Sequence, residues 1–291
     1  MGPSPVLGFI AAMTGFLTNT GMVTLSAATG IGATGSADIN TDIAFVQAMN
    51  STSGDIVIHE FDELSIAGTG VSTTGGNGNI RVDVDAGNLV VNSAAVITAN
   101  GSGDVTLNVD DGMLTQNAAV SSGTGDIDVY ANAVAQNSTI STASTGRISV
   151  TADSGDITMA DGTSTVSVLG AIGYGATGNV RLASVSSTSG NTTITAHSDS
   201  IAAGSVIDNS AAETANIATS GFVSLTAATG IGAAGTADIN TEIGSLQATN
   251  TTSGNVVVNE ANDLVIAGTG VRTLAGNGSI DLNTGGSLTA D

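Results

Sequence analysis

Residues 21–80 recur at residues 221–280, 200 positions later and without a gap, and roughly 37 of the 60 aligned positions are identical. A chain that copies such a block is an array whose units bury their apolar faces against one another. The differences between the copies sort by chemistry. Val46 becomes Leu246, Ile56 becomes Val256, Ile58 becomes Val258, Ser26 becomes Thr226 and Asp42 becomes Glu242. Apolar bulk and surface polarity persist while identity drifts, as packing and solvation require and as a reactive constellation would not tolerate.

A shorter unit runs between the copies. It opens with Gly and a polar residue and continues with alternating apolar positions: Gly78-Asn-Ile-Arg-Val-Asp-Val84, Gly103-Asp-Val-Thr-Leu-Asn-Val109, Gly125-Asp-Ile-Asp-Val-Tyr-Ala131 and Gly146-Arg-Ile-Ser-Val-Thr-Ala152. Period-two alternation over seven residues predicts a half-buried strand, with the second, fourth and sixth residues after each Gly pointing inward. Two further short apolar stretches follow in each unit, such as Leu89–Val91 and Val96–Ile97. Three short strands per coil of about 21–25 residues, with no helical segment, predict an all-β parallel β-helix of roughly 12 to 13 coils. The wider spacing of 33 residues from Gly21 to Gly54, repeated from Gly221 to Gly254, predicts a longer coil carrying an extra loop or a degenerate turn. Residues 1–20 read as an N-terminal cap or the start of a fragment, and 21–291 as one continuous repeat shaft.

Composition narrows the function. Four Arg and no Lys stand against 25 acids, for a net charge of −21. Nucleic acids and anionic membranes are recognised through clustered Lys and Arg, so both are excluded as partners. The acidity serves to keep a β-rich surface from pairing edge to edge. Aromatic residues are 2% of the chain, so the core is built of Val, Ile, Leu and Ala. Cysteine is absent, which removes disulfides, thiolate metal sites and cysteine nucleophiles. The stretch from Val6 to Leu17 has the length of a signal h-region but no basic residue before it, and it is too short to span a bilayer.

Carboxylates are the one plentiful reactive group. Seven residues after the coil-opening glycines stand Asp85, Asp110, Asn132 and Asp153, and one residue after them Asn79, Asp104, Asp126 and Arg147. These columns predict turn chemistry, with Asp and Asn bonding their own turn amides, against an alternative of weak Ca²⁺ contacts. The run from Gly75 to Arg81 is similar to the Ca²⁺-binding glycine-aspartate nonapeptide but has Ile80 where Asp belongs. His59 and His197 lack partners at catalytic or metal-ligand spacing, and His59 is Asn259 in the second copy. The Gly-x-Gly runs precede no helix, which argues against dinucleotide binding. Glycoside hydrolysis needs paired carboxyls in a cleft that grips sugar, and the bases and aromatics for that are nearly absent. The expectation is therefore no catalytic residue, no cofactor and no bound metal.

The runs Val-x-Leu-x-Ala-Ala-Thr-Gly-Ile-Gly at 23–32 and 223–232, Ala-Asp-Ile-Asn-Thr at 37–41 and 237–241, and Thr-Ser-Gly-x-(Ile/Val)-Val at 52–57 and 252–257 resemble the stalk repeats of filamentous-haemagglutinin-like bacterial exoproteins. The resemblance implies a right-handed β-helical shaft, exported by two-partner secretion through an outer-membrane transporter and displayed at the cell surface. It implies partners on host or neighbouring cells, with glycans among them. The Asn-Pro motifs of such proteins' secretion domain do not occur in this chain. Two other readings stand beside it: a carbohydrate-active β-helix (lyase or hydrolase) and a Ca²⁺-stiffened extracellular spacer.

Overall fold

The computed structural model describes residues 16–35, 37–197 and 203–291. Most of the N-terminal stretch read as a cap therefore lies outside the described residues. The described chain is an all-β parallel solenoid of about 12 turns, without helices. It divides into two compact units, one of Met1–Asn132 with Ser141–Gly146, the other of Ala133–Ile140 with Arg147–Asp291.

In the first unit, residues of one class stack coil on coil. Ile31, Ile56, Ile80, Val105 and Ile127 form one ladder, Leu64, Leu89 and Leu114 a second, and Val71, Ile97 and Val120 a third. All eleven are essentially inaccessible to solvent. The alternation predicted from the coil-opening glycines is borne out: Ile80, Val82 and Val84, Val105, Leu107 and Val109, and Ile127, Val129 and Ala131 are buried. Parallel in-register stacking explains the drift between copies, because a β-branched or branched aliphatic side chain fits any rung of such a ladder.

The glycines themselves are fixed by close approach. A Cβ on Gly78, Gly103, Gly125 or Gly146 would lie well under 3.0 Å from the carbonyl oxygen of the glycine one coil earlier, Gly54, Gly78, Gly103 and Gly125 respectively. The corner where each coil begins is thus a column of backbone on backbone with no room for a side chain.

The register corrects the 33-residue coils. Val23 pairs with Val46 and Leu25 with Ala48, a step of 23 residues, and the Cβ position of Gly54 abuts Thr29 and Gly30, so Gly21 lies on a different face from Gly54. The extra loop is real, and it lies within a coil of ordinary length. Ile31 pairs with Ile56 while Ile39 pairs with Ile58, so residues 33–35 and 37–38 lie off the wall, pinched by a backbone bond from Ala33 N–H to Ala37 O of 2.7 Å. The second copy does the same at 233–238, where Ala233 N–H bonds Ala237 O and the pairings Ile231 to Val256 and Ile239 to Val258 repeat the shift.

The second unit is built likewise, with Ile157, Val180, Val206, Ile231 and Val256 in one ladder. It also holds a buried polar knot. Tyr174, stacked between Val150 and Ile194, is 1% exposed; its hydroxyl donates to Gln136 Oε1 at 2.7 Å and meets Thr165 Oγ1. Gln136 Nε2 donates to Thr165 Oγ1 at 2.9 Å. Burial raises the phenol well above its usual 10, so it is a donor throughout the working pH range. Tyr174→Phe leaves Gln136 Oε1 without its strongest donor and is expected to cost about 1–2 kcal/mol, read as a lowered urea midpoint at unchanged slope.

Candidate functional site

The most elaborate side-chain chemistry lies where a long strand turns a corner, and it occurs once in each copy. In the first unit, Ile39–Asn50 bends near Ile43, with register shifts against Leu17–Ala27 between Asn19 and Met22 and against Leu64–Thr73 between Val46 and Ala48. Bending frees backbone amides from the ladder, and a carboxylate supplies their acceptors. Glu60, fully buried, takes Ile43 N–H on both oxygens at 3.1 and 3.2 Å and Phe61 N–H on Oε1 at 3.1 Å. Glu260 repeats this with Ile243 N–H at 3.2 and 3.3 Å, Asn262 N–H at 3.1 Å and the Thr241 hydroxyl at 2.7 Å. Burial raises both carboxyls above their usual range, and these hydrogen bonds partly offset it.

Glu60 was not singled out from the sequence. The signal was there: Glu60 and Glu260 are identical while Phe61, Asp62 and Glu63 became Ala261, Asn262 and Asp263.

Around each buried glutamate the surface is concave. In the first unit a cavity of about 430 Å³ is lined by Thr18, Thr20, Asp42, Ile43, Asp62 and Glu63, among others. The second unit has one of about 540 Å³ at the equivalent place, lined by Ser186, Thr188, Ser220, Glu242, Ile243 and Asn262, among others. Oxygens of Asp42, Glu60 and Asp62 lie within 4.8 Å of one another, a set that suits a hard cation. The second copy dilutes it, because Asn262 replaces Asp62 and its Nδ2 lies 3.4 Å from Glu242 Oε1. The Glu60 oxygens already accept the Ile43 and Phe61 N–H groups, so a cation at this set would share them with backbone amides.

The predicted columns are brought together in part. Val84 pairs with Val109, which stacks Asp85 and Asp110. Asn132 departs from them: its N–H bonds Gly112 O at 2.8 Å and its Nδ2 reaches Asp111 Oδ1 at 3.3 Å. Asp153 belongs to the second unit. Asp110 Oδ1 accepts Asn108 Nδ2 at 2.6 Å, and Asp85 turns toward His59.

The other column is a true ladder with a bonding pattern different from the one expected. Asp55 Oδ1 accepts Asn79 N–H, Asn79 Oδ1 accepts Asp104 N–H and Asp104 Oδ1 accepts Asp126 N–H, each at 2.8 Å. Each side chain thus caps an amide of the next coil in place of its own turn. Asp156 and Asn179 do this in the second unit, to Asn179 N–H at 2.7 Å and Ser205 N–H at 3.0 Å.

His59 has partners that sequence spacing hid. Its Nε2 lies 2.7 Å from Asp85 Oδ1 and its Nδ1 3.1 Å from Asn40 Oδ1. His197 sits at a left-handed corner, φ 91°, with Nε2 3.4 Å from Thr251 Oγ1. Ile80, at the Asp position of the nonapeptide look-alike, is a buried ladder residue. No helix among the described residues is long and apolar enough to cross a membrane. No protein-family model, curated protein or solved structure matches this chain, which its own geometry places among the all-β parallel solenoids.

Proposed function

We propose that this chain is a non-catalytic shaft segment of a secreted or surface-displayed bacterial adhesin, which holds adhesive elements away from the cell that displays them. The observation that carries this reading is the Asp55–Asn79–Asp104–Asp126 ladder. Side chains that could have converged on a substrate are spent on amides of the next coil, and what the second copy retains is ladder, corner and buried cap. The stalk-repeat resemblance and the acidic surface agree with it. Export through an outer-membrane transporter and contacts with cell-surface glycans are parts of the same proposal.

A second reading, a spacer stiffened by Ca²⁺, is favoured by one observation, the Asp42, Glu60 and Asp62 oxygens. One set of measurements separates these from an enzyme. For the plain shaft, beads coated with the chain in series with a known adhesive domain bind target cells over a longer reach than beads with that domain alone. Acidic polysaccharides incubated with the chain release no reducing ends, and the unfolding midpoint is the same in millimolar Ca²⁺ and in chelator. A midpoint that rises with Ca²⁺ and falls back in Asp42→Asn selects the stiffened spacer, and released reducing ends select the enzyme.

A further inference from the structure

Acidic side chains are unevenly placed around the first unit. On the wall built from the glycine-opened strands, Asp83 and Asp128 alternate with buried ladder residues and so point outward, while Asp55, Asp104 and Asp126 stand at one of its corners and Asp85 and Asp110 at the other. The long strands Leu17–Ala27, Ile39–Asn50 and Leu64–Thr73 carry on into a different surface. There one outward column runs Met22, Phe45, Ser65, Val90 and Thr115, and a second, four residues along the same strands, runs Ser26, Met49, Ser72, Thr98 and Ser121. Neither column holds a charge.

Met22, Phe45 and Met49 are exposed on this uncharged surface, and a cluster of large apolar side chains left open to water marks a contact surface. The duplicated block shows that the fold does not require them. Ser245 and Thr249 stand where the first copy has Phe45 and Met49, and Arg272 where it has Ser72, in the same strand register. The apolar set belongs to the first copy alone.

We propose that two copies of this chain pair face to face through this surface, with their rods antiparallel. Charge selects the face. With 25 acids against four Arg, two copies repel wherever their carboxylates oppose one another, and these columns have none to oppose. Period selects the partner. Outward side chains recur at every rung, about 4.8 Å apart, and a second solenoid repeats at the same distance, so a fit made at one rung is kept at the next. The relief supplies the fit, because the rung with Phe45 and Met49 is followed by one with Ser65 and Ser72. A two-fold axis lying between the copies, across the rods and level with the gap between those rungs, sets Phe45 and Met49 of each copy over Ser65 and Ser72 of the other. Met22 then meets Val90. The contact is isologous and closes at two.

Sedimentation equilibrium of the full chain tests this, over concentrations from about 1 µM to 1 mM because a face five rungs tall makes a small interface. The expected result is a monomer–dimer equilibrium that tightens with added salt, which screens the acidic walls. Phe45→Ser combined with Met49→Thr installs the residues of the second block, and Ser65→Asp places an acid opposite Phe45 of the other copy. Each variant is expected to raise the dissociation constant about tenfold or more while the urea midpoint of the dilute monomer stays within error of the natural chain, so that loss of pairing is not loss of folding. A chain that remains monomeric throughout overturns the proposal, as does an association that either variant leaves unchanged. So does a monomer retained through this face by zwitterionic vesicles or neutral polysaccharide beads, which would give the surface to that partner. The outcome is independent of the shaft reading, which the reach of coated beads tests separately.

Discussion

Gly103→Ala is expected to lower the stability of the first unit by about 3 kcal/mol, the upper end of what overpacking costs. The added methyl would overlap the Gly78 carbonyl oxygen, and a carbonyl in a parallel wall cannot rotate away as a side chain can. Two coils would have to separate, and the ladder bonds beside them, Ile80 N–H to Asp104 O at 2.8 Å and Val105 N–H to Asp126 O at 2.9 Å, would stretch together. Gly78, Gly125 and Gly146 share the column and should behave alike. Gly175→Thr is the control with the opposite sign. A Cβ there meets nothing within 4 Å, the backbone is extended strand, and a β-branched residue in place of glycine should stabilise by about 0.5–1 kcal/mol. Urea midpoints of the two variants decide the matter: equal shifts would mean that the column is not what fixes these glycines.

Glu60→Ala carries the second large effect, about 3 kcal/mol at neutral pH. It strands Ile43 N–H inside the bend, removes an acceptor from Phe61 and Asp62, and leaves a void where a buried side chain stood. Glu60→Gln separates the role of shape from that of charge, because it keeps an acceptor oxygen and removes the ionisation. A carboxyl whose folded value is raised contributes stability that is complete below its ordinary 4.5 and lost as pH rises through the folded value. The natural protein should therefore lose stability on going from about pH 4.5 toward neutrality, and Glu60→Gln should flatten that decline. Glu260→Gln should act the same way in the second unit, since burial raises that carboxyl too. A slope that survives both substitutions would assign the decline to surface repulsion among the 25 acids. The Asp85 hydrogen bond raises the His59 pKa above its ordinary 6.5, which adds loss of the same sign at higher pH, so the glutamate window is read below 6.5.

The kind of evidence in the sequence explains which parts of the fold were legible. Ile80, Val82 and Val84 declare a strand because period-two alternation is a local property of seven residues. The coil-opening glycines were visible as a recurrence, and their reason, backbone stacked on backbone, follows only once the coils are in register. Gly21 was mistaken for a member of that column because it precedes the same kind of alternating run as Gly78. The step from Val23 to Val46 assigns it to another face.

The site was less legible than the fold. Glu60 serves an amide 17 residues earlier in the chain, and His59 joins Asn40, 19 residues before it, to Asp85, 26 residues after it. These separations differ because the coil lengths between them differ, so no fixed spacing announces the contacts. The sequence by itself determined that the chain is a solenoid, that its core is aliphatic, and that its duplicated block keeps the same packing positions, since these follow from local alternation and from what substitution tolerates. Only the tertiary structure decided which coil length brings which side chain onto which neighbour. In a parallel wall the partners are a full turn apart, and their register is set by the turns between them rather than by the residues that meet.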